Sequence, residues 1–311
     1  MLQEEEDMGN VNTQFLLSML IIAIGYFCKR IKLVTEKDGE GIAKVIFNLS
    51  LPALVIKTFS VMTVEKSLIW LPVINVMYGF FILLAGILII KDSHRKTRGM
   101  MLYLLPGFNI GLFAYPLVEA VWGRDGLKYF GMFDMGNAIV LFGLCYITAG
   151  FFSAENQKTD FKSISGKLIR SVPLMSYIIT LVLNLSGVGF PVVIVNICDI
   201  LSRANMPLSL LLLGIYLSFS FEAGYWKKIG KVLAVRYISG AVIGIILYFI
   251  VPFEPLFKVT LLLGSLLPIG MAVIPYSVQF DYDRRFVGTV TNLTVVISFV
   301  IMWIIMNLGL V

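Results

Sequence analysis

The stretch Leu102-Tyr-Leu-Leu-Pro-Gly-Phe-Asn109-Ile-Gly111-Leu-Phe-Ala-Tyr-Pro116 returns in altered form as Leu261-Leu-Leu-Gly-Ser-Leu-Leu-Pro268-Ile-Gly270-Met-Ala-Val-Ile-Pro275. In both, a glycine precedes a proline by the same spacing, Gly111 to Pro116 and Gly270 to Pro275, inside a run that is otherwise apolar. At nearly the same offset Asp134 aligns with Asn292, and Pro52 more roughly with Pro207. Glycine and proline are common in transmembrane helices, so no one match decides anything. Together they predict two related halves, residues 1–152 and 168–311, joined by a linker over 153–167.

The setting of these motifs is a membrane. Hydrophobic residues make up 58% of the 311 positions and charged residues 14%, against about 45–50% and about 25% in soluble domains. The apolar residues fall into ten runs near the length that crosses a bilayer, at about 1.5 Å per helical residue. They cover 12–28, 42–61, 68–90, 99–121, 128–152, 168–187, 191–219, 229–251, 257–280 and 286–310. No connecting segment is long enough for a soluble domain. The acidic N-terminus, Glu4, Glu5, Glu6 and Asp7, lacks the basic start of a secretory signal.

Charge gives the runs an orientation. Seventeen Lys and Arg residues lie in the odd-numbered loops, among them Lys29, Arg30, Arg95, Lys96, Lys158, Arg170, Lys227 and Arg284. The even loops and both termini hold four, Lys66, Arg124, Lys128 and Lys258. The positive-inside rule places the odd loops in the cytoplasm and both termini outside. The formal charge of +6 is therefore spread as topology signals. It forms no patch or stripe of the kind that binds nucleic acid.

Five spans per half make the second copy enter the bilayer upside down, about a pseudo-twofold axis in the membrane plane. Asn109 and Pro268 each fall about 15 Å into their spans, from opposite faces. Residues 106–116 and 268–275 are expected to be broken helix, because proline removes a backbone donor and glycine weakens a helix. Broken helices at that depth are tolerated where they line a cavity, and their free N–H groups suit an anion. Prolines that merely kink a helix are the plainer alternative.

Polar groups at depth need an explanation, at about 2.5–3.5 kcal/mol for a central charge. Asn109 and Asn137 are candidate amide donors to a substrate. Asp134 is a candidate proton or cation site, with Asn292 its counterpart. Hydrogen bonding between helices is the alternative for each. Asp199 and Arg203, spaced i, i+4, form a structural ion pair or attract an anion. Glu119 is a further ion-coupling candidate, reached from the outer vestibule, or else caps a helix or pairs with Arg124. Lys57 and Arg236 have stems that can snorkel and are assigned no role. Cys28, Cys145 and Cys198 show no metal spacing, and His94 lies in a charged loop, so metal and His-based chemistry are not expected.

Gly25-Tyr-Phe-Cys-Lys-Arg30, Asn48-Leu-Ser-Leu-Pro52-Ala-Leu54, Asn109 with Pro116, and Met206-Pro207-Leu-Ser-Leu-Leu-Leu-Leu-Gly214 occur in this order. The chain thereby resembles the auxin-efflux-carrier family of permeases, which includes malonate permeases, over nearly its whole length. The resemblance implies an all-α integral membrane protein of ten helices in two inverted five-helix repeats. Helices one, two, six and seven would form a scaffold, and helices four and nine would break and cross near Pro116 and Pro275. It further implies transport of a small organic anion across the plasma membrane, elevator-like, with efflux one direction. Asn109, Gly111, Pro116, Asn137, Pro268, Gly270 and Pro275 then lie about the substrate, and a homodimer is left open. The long cytoplasmic loop of plant auxin carriers is absent. Bile-acid sodium symporters look similar in fold, so proton and sodium coupling both stay open, with no other cofactor implied. An intramembrane enzyme is the rival class, but no HExxH, serine-nucleophile motif or paired catalytic aspartates occur.

Overall fold

Apolar runs that must pair every peptide group internally become helices, and among the described residues the chain is helical with no strand. The computed structural model describes residues 2–60, 65–92, 94–153, 161–219 and 222–310. Residues 154–160 of the linker expected over 153–167, with Lys158, lie outside them, and the rest of it runs into the helix Phe161–Arg170.

Seven stretches are long and apolar enough to cross a membrane: Val11–Arg30, Glu36–Ser60, Lys66–Ile89, Ile110–Phe152, Val192–Tyr216, Trp226–Ile250 and Arg284–Met306. Ten were expected, and the difference has local causes. The fourth and fifth runs join in Ile110–Phe152, where the chain bends at Gly123 with φ 56°. That left-handed conformation costs a glycine little and other residues more. The sixth run is a helix of 14 residues, Val172–Leu185. The ninth is split into Pro255–Gly264 and Val273–Gln279.

The first helix, Leu2–Arg30, packs along Asn205–Tyr216. A Cβ on Gly25 would stand 2.2 Å from the Leu211 carbonyl oxygen, and one on Gly214 2.0 Å from that of Ile22. Small residues let the two backbones touch, which is how helices associate where solvent exclusion offers no driving force. The second and seventh runs each deform just ahead of a proline. Ile46–Ser50 is a wide π-type turn before Pro52, and the chain leaves the helix at Arg203 and Ala204 before Pro207. In each case the missing proline N–H frees a carbonyl one turn back. The two deformations meet where Ser50 Oγ donates to Asn205 Oδ1 at 3.4 Å.

Lys57 does not snorkel. Its ammonium lies 2.7 Å from Asp199 Oδ1, while Arg203 holds Asp199 Oδ2 at 2.7 Å. One carboxylate thus joins the second and seventh runs as well as closing its own helical turn.

Gly214→Val should displace the first helix and lower stability by about 1–3 kcal/mol, the usual cost of overpacking. A detergent melting curve showing no loss would contradict the contact.

Candidate functional site

Helix Arg95–Tyr103 ends ahead of Pro106, and residues 104–109 run unwound until a wide turn, Ile110–Ala114, starts the next half-helix. Helix Pro255–Gly264 likewise stops ahead of Pro268, and the chain is unwound over 265–272. Each proline lacks an N–H and drives the residue before it out of the helical region. The breaks therefore begin earlier than the expected 106–116 and 268–275, and end earlier. Pro116 and Pro275 lie instead within the half-helices that follow, Pro116 just after the wide turn Ile110–Ala114 and Pro275 in the first turn of Val273–Gln279, where no N–H is needed. The crossing assigned to them by resemblance stands at Phe108 and Ile269, which face each other in an antiparallel bridge.

Pairing at this crossing is extensive. The Asn109 N–H donates to the Pro268 carbonyl at 2.9 Å and the Gly270 N–H to the Gly107 carbonyl at 3.3 Å. A Cβ on Gly270 would lie 2.8 Å from the Phe108 carbonyl oxygen, so this close approach calls for glycine. Side chains from the following helices complete it. Asn137 accepts from the Phe108 N–H at 2.9 Å and returns a hydrogen to the Phe108 carbonyl at 3.0 Å. Thr294 Oγ1 accepts from the Ile269 N–H at 3.0 Å, and Ser298 Oγ donates to the Leu266 carbonyl at 2.7 Å.

The largest contribution comes from a residue given no role above. Arg236, fully buried, donates to the carbonyls of Leu104, Leu105, Gly107 and Leu267 and lies 4.6 Å from the Phe108 ring centre. It stands ten residues past Trp226 in helix Trp226–Ile250, about 15 Å along the axis. The depth count used for Asn109, started at the true helix end, finds it.

Beside the crossing opens a cavity of about 1000 Å³. Its lining includes Phe108, Asn109, Gly111, Asn137, Gly270 and Pro275, together with Asp134 and Asn292 and the exposed Glu36, Arg170 and Arg284. Pro116, Pro268, Glu119, Asp199 and Arg203 are not among the lining residues. Asn109 is the exceptional side chain. Its Oδ1 accepts from the Leu112 N–H at 3.3 Å as the cap of the half-helix. Its Nδ2 is buried with no partner among the described residues. The Ile110 and Gly111 amides, at the start of the same half-helix, also have no backbone carbonyl partner there.

Asn137 lines the cavity, yet both its amide hydrogens are engaged, the second at 3.1 Å from Asp134 Oδ1. Asp134 Oδ2 accepts from Tyr115 at 2.9 Å and from Tyr177 at 3.4 Å, and the two tyrosine hydroxyls touch. Tyr177 belongs to Val172–Leu185, so this cluster joins separate helices. Asn292 donates to the carbonyls of Tyr216 and Ser218 at 3.1 and 2.6 Å, closing the end of Asn205–Tyr216. Neither tyrosine nor Thr294 carried a signal in the sequence beyond being polar within an apolar run.

A family model described as membrane transport protein matches residues 11–166. An uncharacterized transporter of Methanocaldococcus jannaschii is 24% identical, over 94% of this chain and 98% of that protein. Another, from Methanothermobacter thermautotrophicus, is 23% identical over 93% and 95%.

Replacing Asn137 by Ala would strip partners from both polar groups of Phe108, a loss of about 2–4 kcal/mol at about 1–2 for each. Asn109→Ala removes one cap bond and should cost about 1 kcal/mol. Thermal melts of the two variants should rank in that order, and equal melting temperatures would count against these assignments.

Proposed function

Because the chain belongs to the membrane transport protein family, the auxin-efflux-carrier permeases, we propose that it carries a small organic anion, a carboxylate, across the plasma membrane by alternating access. The observation that carries this reading is the buried, unpartnered Nδ2 of Asn109, a residue that lines a large cavity. Beside it stand two half-helix amides, also donors. Buried polar groups are paired in native proteins unless a ligand or water completes them. The unpaired groups at this point are donors, and a carboxylate has only acceptors.

Ten spans in two inverted repeats of five are the arrangement we favour. The antiparallel meeting of Phe108 with Ile269 supports it, as does the equivalent use of Asn137 and of Thr294 with Ser298 from the helix following each break. In this reading the crossing, Asn137, Thr294 and Arg236 move as one block. Helices Leu2–Arg30 and Asn205–Tyr216, joined at Gly25 and Gly214, form the scaffold. The Asp134 cluster spans the two, since Tyr177 sits on the scaffold side. Asp134 then couples a proton to movement. Protonated, it keeps its bond from Asn137 but offers Tyr177 a weaker acceptor, which loosens the block.

Glu36 and Arg284 each begin a helix after an odd-numbered loop, and Arg170 ends the helix Phe161–Arg170 just ahead of Val172–Leu185, so the cavity opens toward the face that the positive-inside rule assigns to the cytoplasm. Both termini are then extracytoplasmic.

A thermal-shift and binding screen of small carboxylates on the purified protein tests the substrate class. For a carboxylate that binds, Asn109→Ala should weaken affinity by about tenfold or more, since a hydrogen bond to a charged group contributes about 1.5–3 kcal/mol. Unchanged affinity would remove Asn109 from the site. Transport by Asp134→Asn should lose its dependence on pH, and a profile like that of the unaltered protein would refute proton coupling there. Cysteine placed at His94 should react with an impermeant thiol reagent only from the cytoplasmic side.

A further inference from the structure

Four carbonyl oxygens, from Leu104, Leu105 and Gly107 of one break and Leu267 of the other, converge on the guanidinium of Arg236. Oxygen cages made of unwound backbone are what hold alkali cations inside membrane proteins. Here the cage is filled by the protein's own side chain. Arginine is not deprotonated in proteins, so this cation is permanent. Among the described residues no carboxylate forms an ion pair with it, its other contact being the face of Phe108.

We infer that Arg236 is a tethered cation standing where an exchangeable metal ion would otherwise bind, so that the crossing is complete without sodium. Two consequences follow. The breaks stay paired through every stage of a transport cycle, because their counter-charge cannot dissociate. An anion held at Asn109, next in the chain to Phe108, meets a fixed positive charge behind it; this second consequence rests on the anion reading, the first does not. Arg236 is a positioning residue in both, since Phe108 separates it from the cavity and it does not itself line the wall.

The test uses the full chain purified in detergent, with melting temperature read at constant ionic strength while choline chloride is replaced by sodium chloride. The unaltered protein should shift by less than about 1 °C, and Arg236→Lys, which keeps a tethered charge, should also be indifferent to sodium. Arg236→Ala should melt about 5–15 °C lower, because several buried carbonyls lose their partners. Millimolar methylguanidinium, and more weakly sodium, should restore at least half of that loss, whereas a purely packing role would not respond to a free cation. Sodium-specific stabilisation of the unaltered protein or of Arg236→Lys would overturn the inference, as would failure of both cations to restore Arg236→Ala. If Arg236→Ala does not fold, indifference of the other two to sodium supports the inference and a sodium response in either defeats it. No substrate enters any of these measurements, so their outcome is separate from that of the carboxylate screen.

Discussion

A peptide group unwound inside hydrocarbon has no water to pair with, and each such group left alone costs several kcal/mol. Residues 104–109 and 265–272 are unwound at that depth, and they persist because they lie against each other. Asn109 bonds to Pro268, Gly270 bonds to Gly107, and Arg236 adds a second donor to the Gly107 carbonyl and gathers those of Leu105 and Leu267. The rest of the architecture serves this junction. Gly270 lets the backbones approach, while Asn137 and Thr294 hold one amide each from the helix that follows.

Most of the polar groups at this junction are paired, Arg236 Nε and Asn109 Nδ2 being buried without a partner. The unpartnered Nδ2 of Asn109 and the open amides of Ile110 and Gly111 sit on three successive residues that line a cavity. Recognition is thereby separated from support. Asn109 keeps its amide hydrogens unengaged, whereas Asn137, the same residue type, spends both of its own on Phe108 and Asp134. The Asp134 cluster adds a titratable group whose hydrogen bonds run to a different helix, so a change in its charge bears on how the helices sit together.

Much of this was legible beforehand. Length and hydropathy were enough for a multi-pass helical membrane protein, and the matched Gly111–Pro116 and Gly270–Pro275 pairs marked the two spans that break. The position of the breaks was displaced by a few residues. Pro106 and Pro268 do the unwinding, while Pro116 stands inside the next half-helix, just after its wide turn Ile110–Ala114. Periodicity counts could not separate these roles, because a proline that stops a helix and one that only widens a turn of it look alike in a single sequence. Gly25 and Gly214 carried the resemblance as motif letters, and their physical use is a backbone contact between helices far apart in the chain.

What the sequence determined by itself, then, is the solvent of this chain and which two of its helices fail, since both follow from local composition and from the backbone chemistry of proline and glycine. Which polar groups are spoken for was decided by the tertiary structure alone. Lys57 and Arg236 have equally long stems, yet one reaches Asp199 near a helix bend and the other is sealed among four carbonyls. Asn109 and Asn137 are equally polar, yet only one keeps a free donor. A hydrogen bond needs a partner within about 3 Å, and these partners come from segments more than a hundred residues away as readily as from the next turn, which no local pattern records.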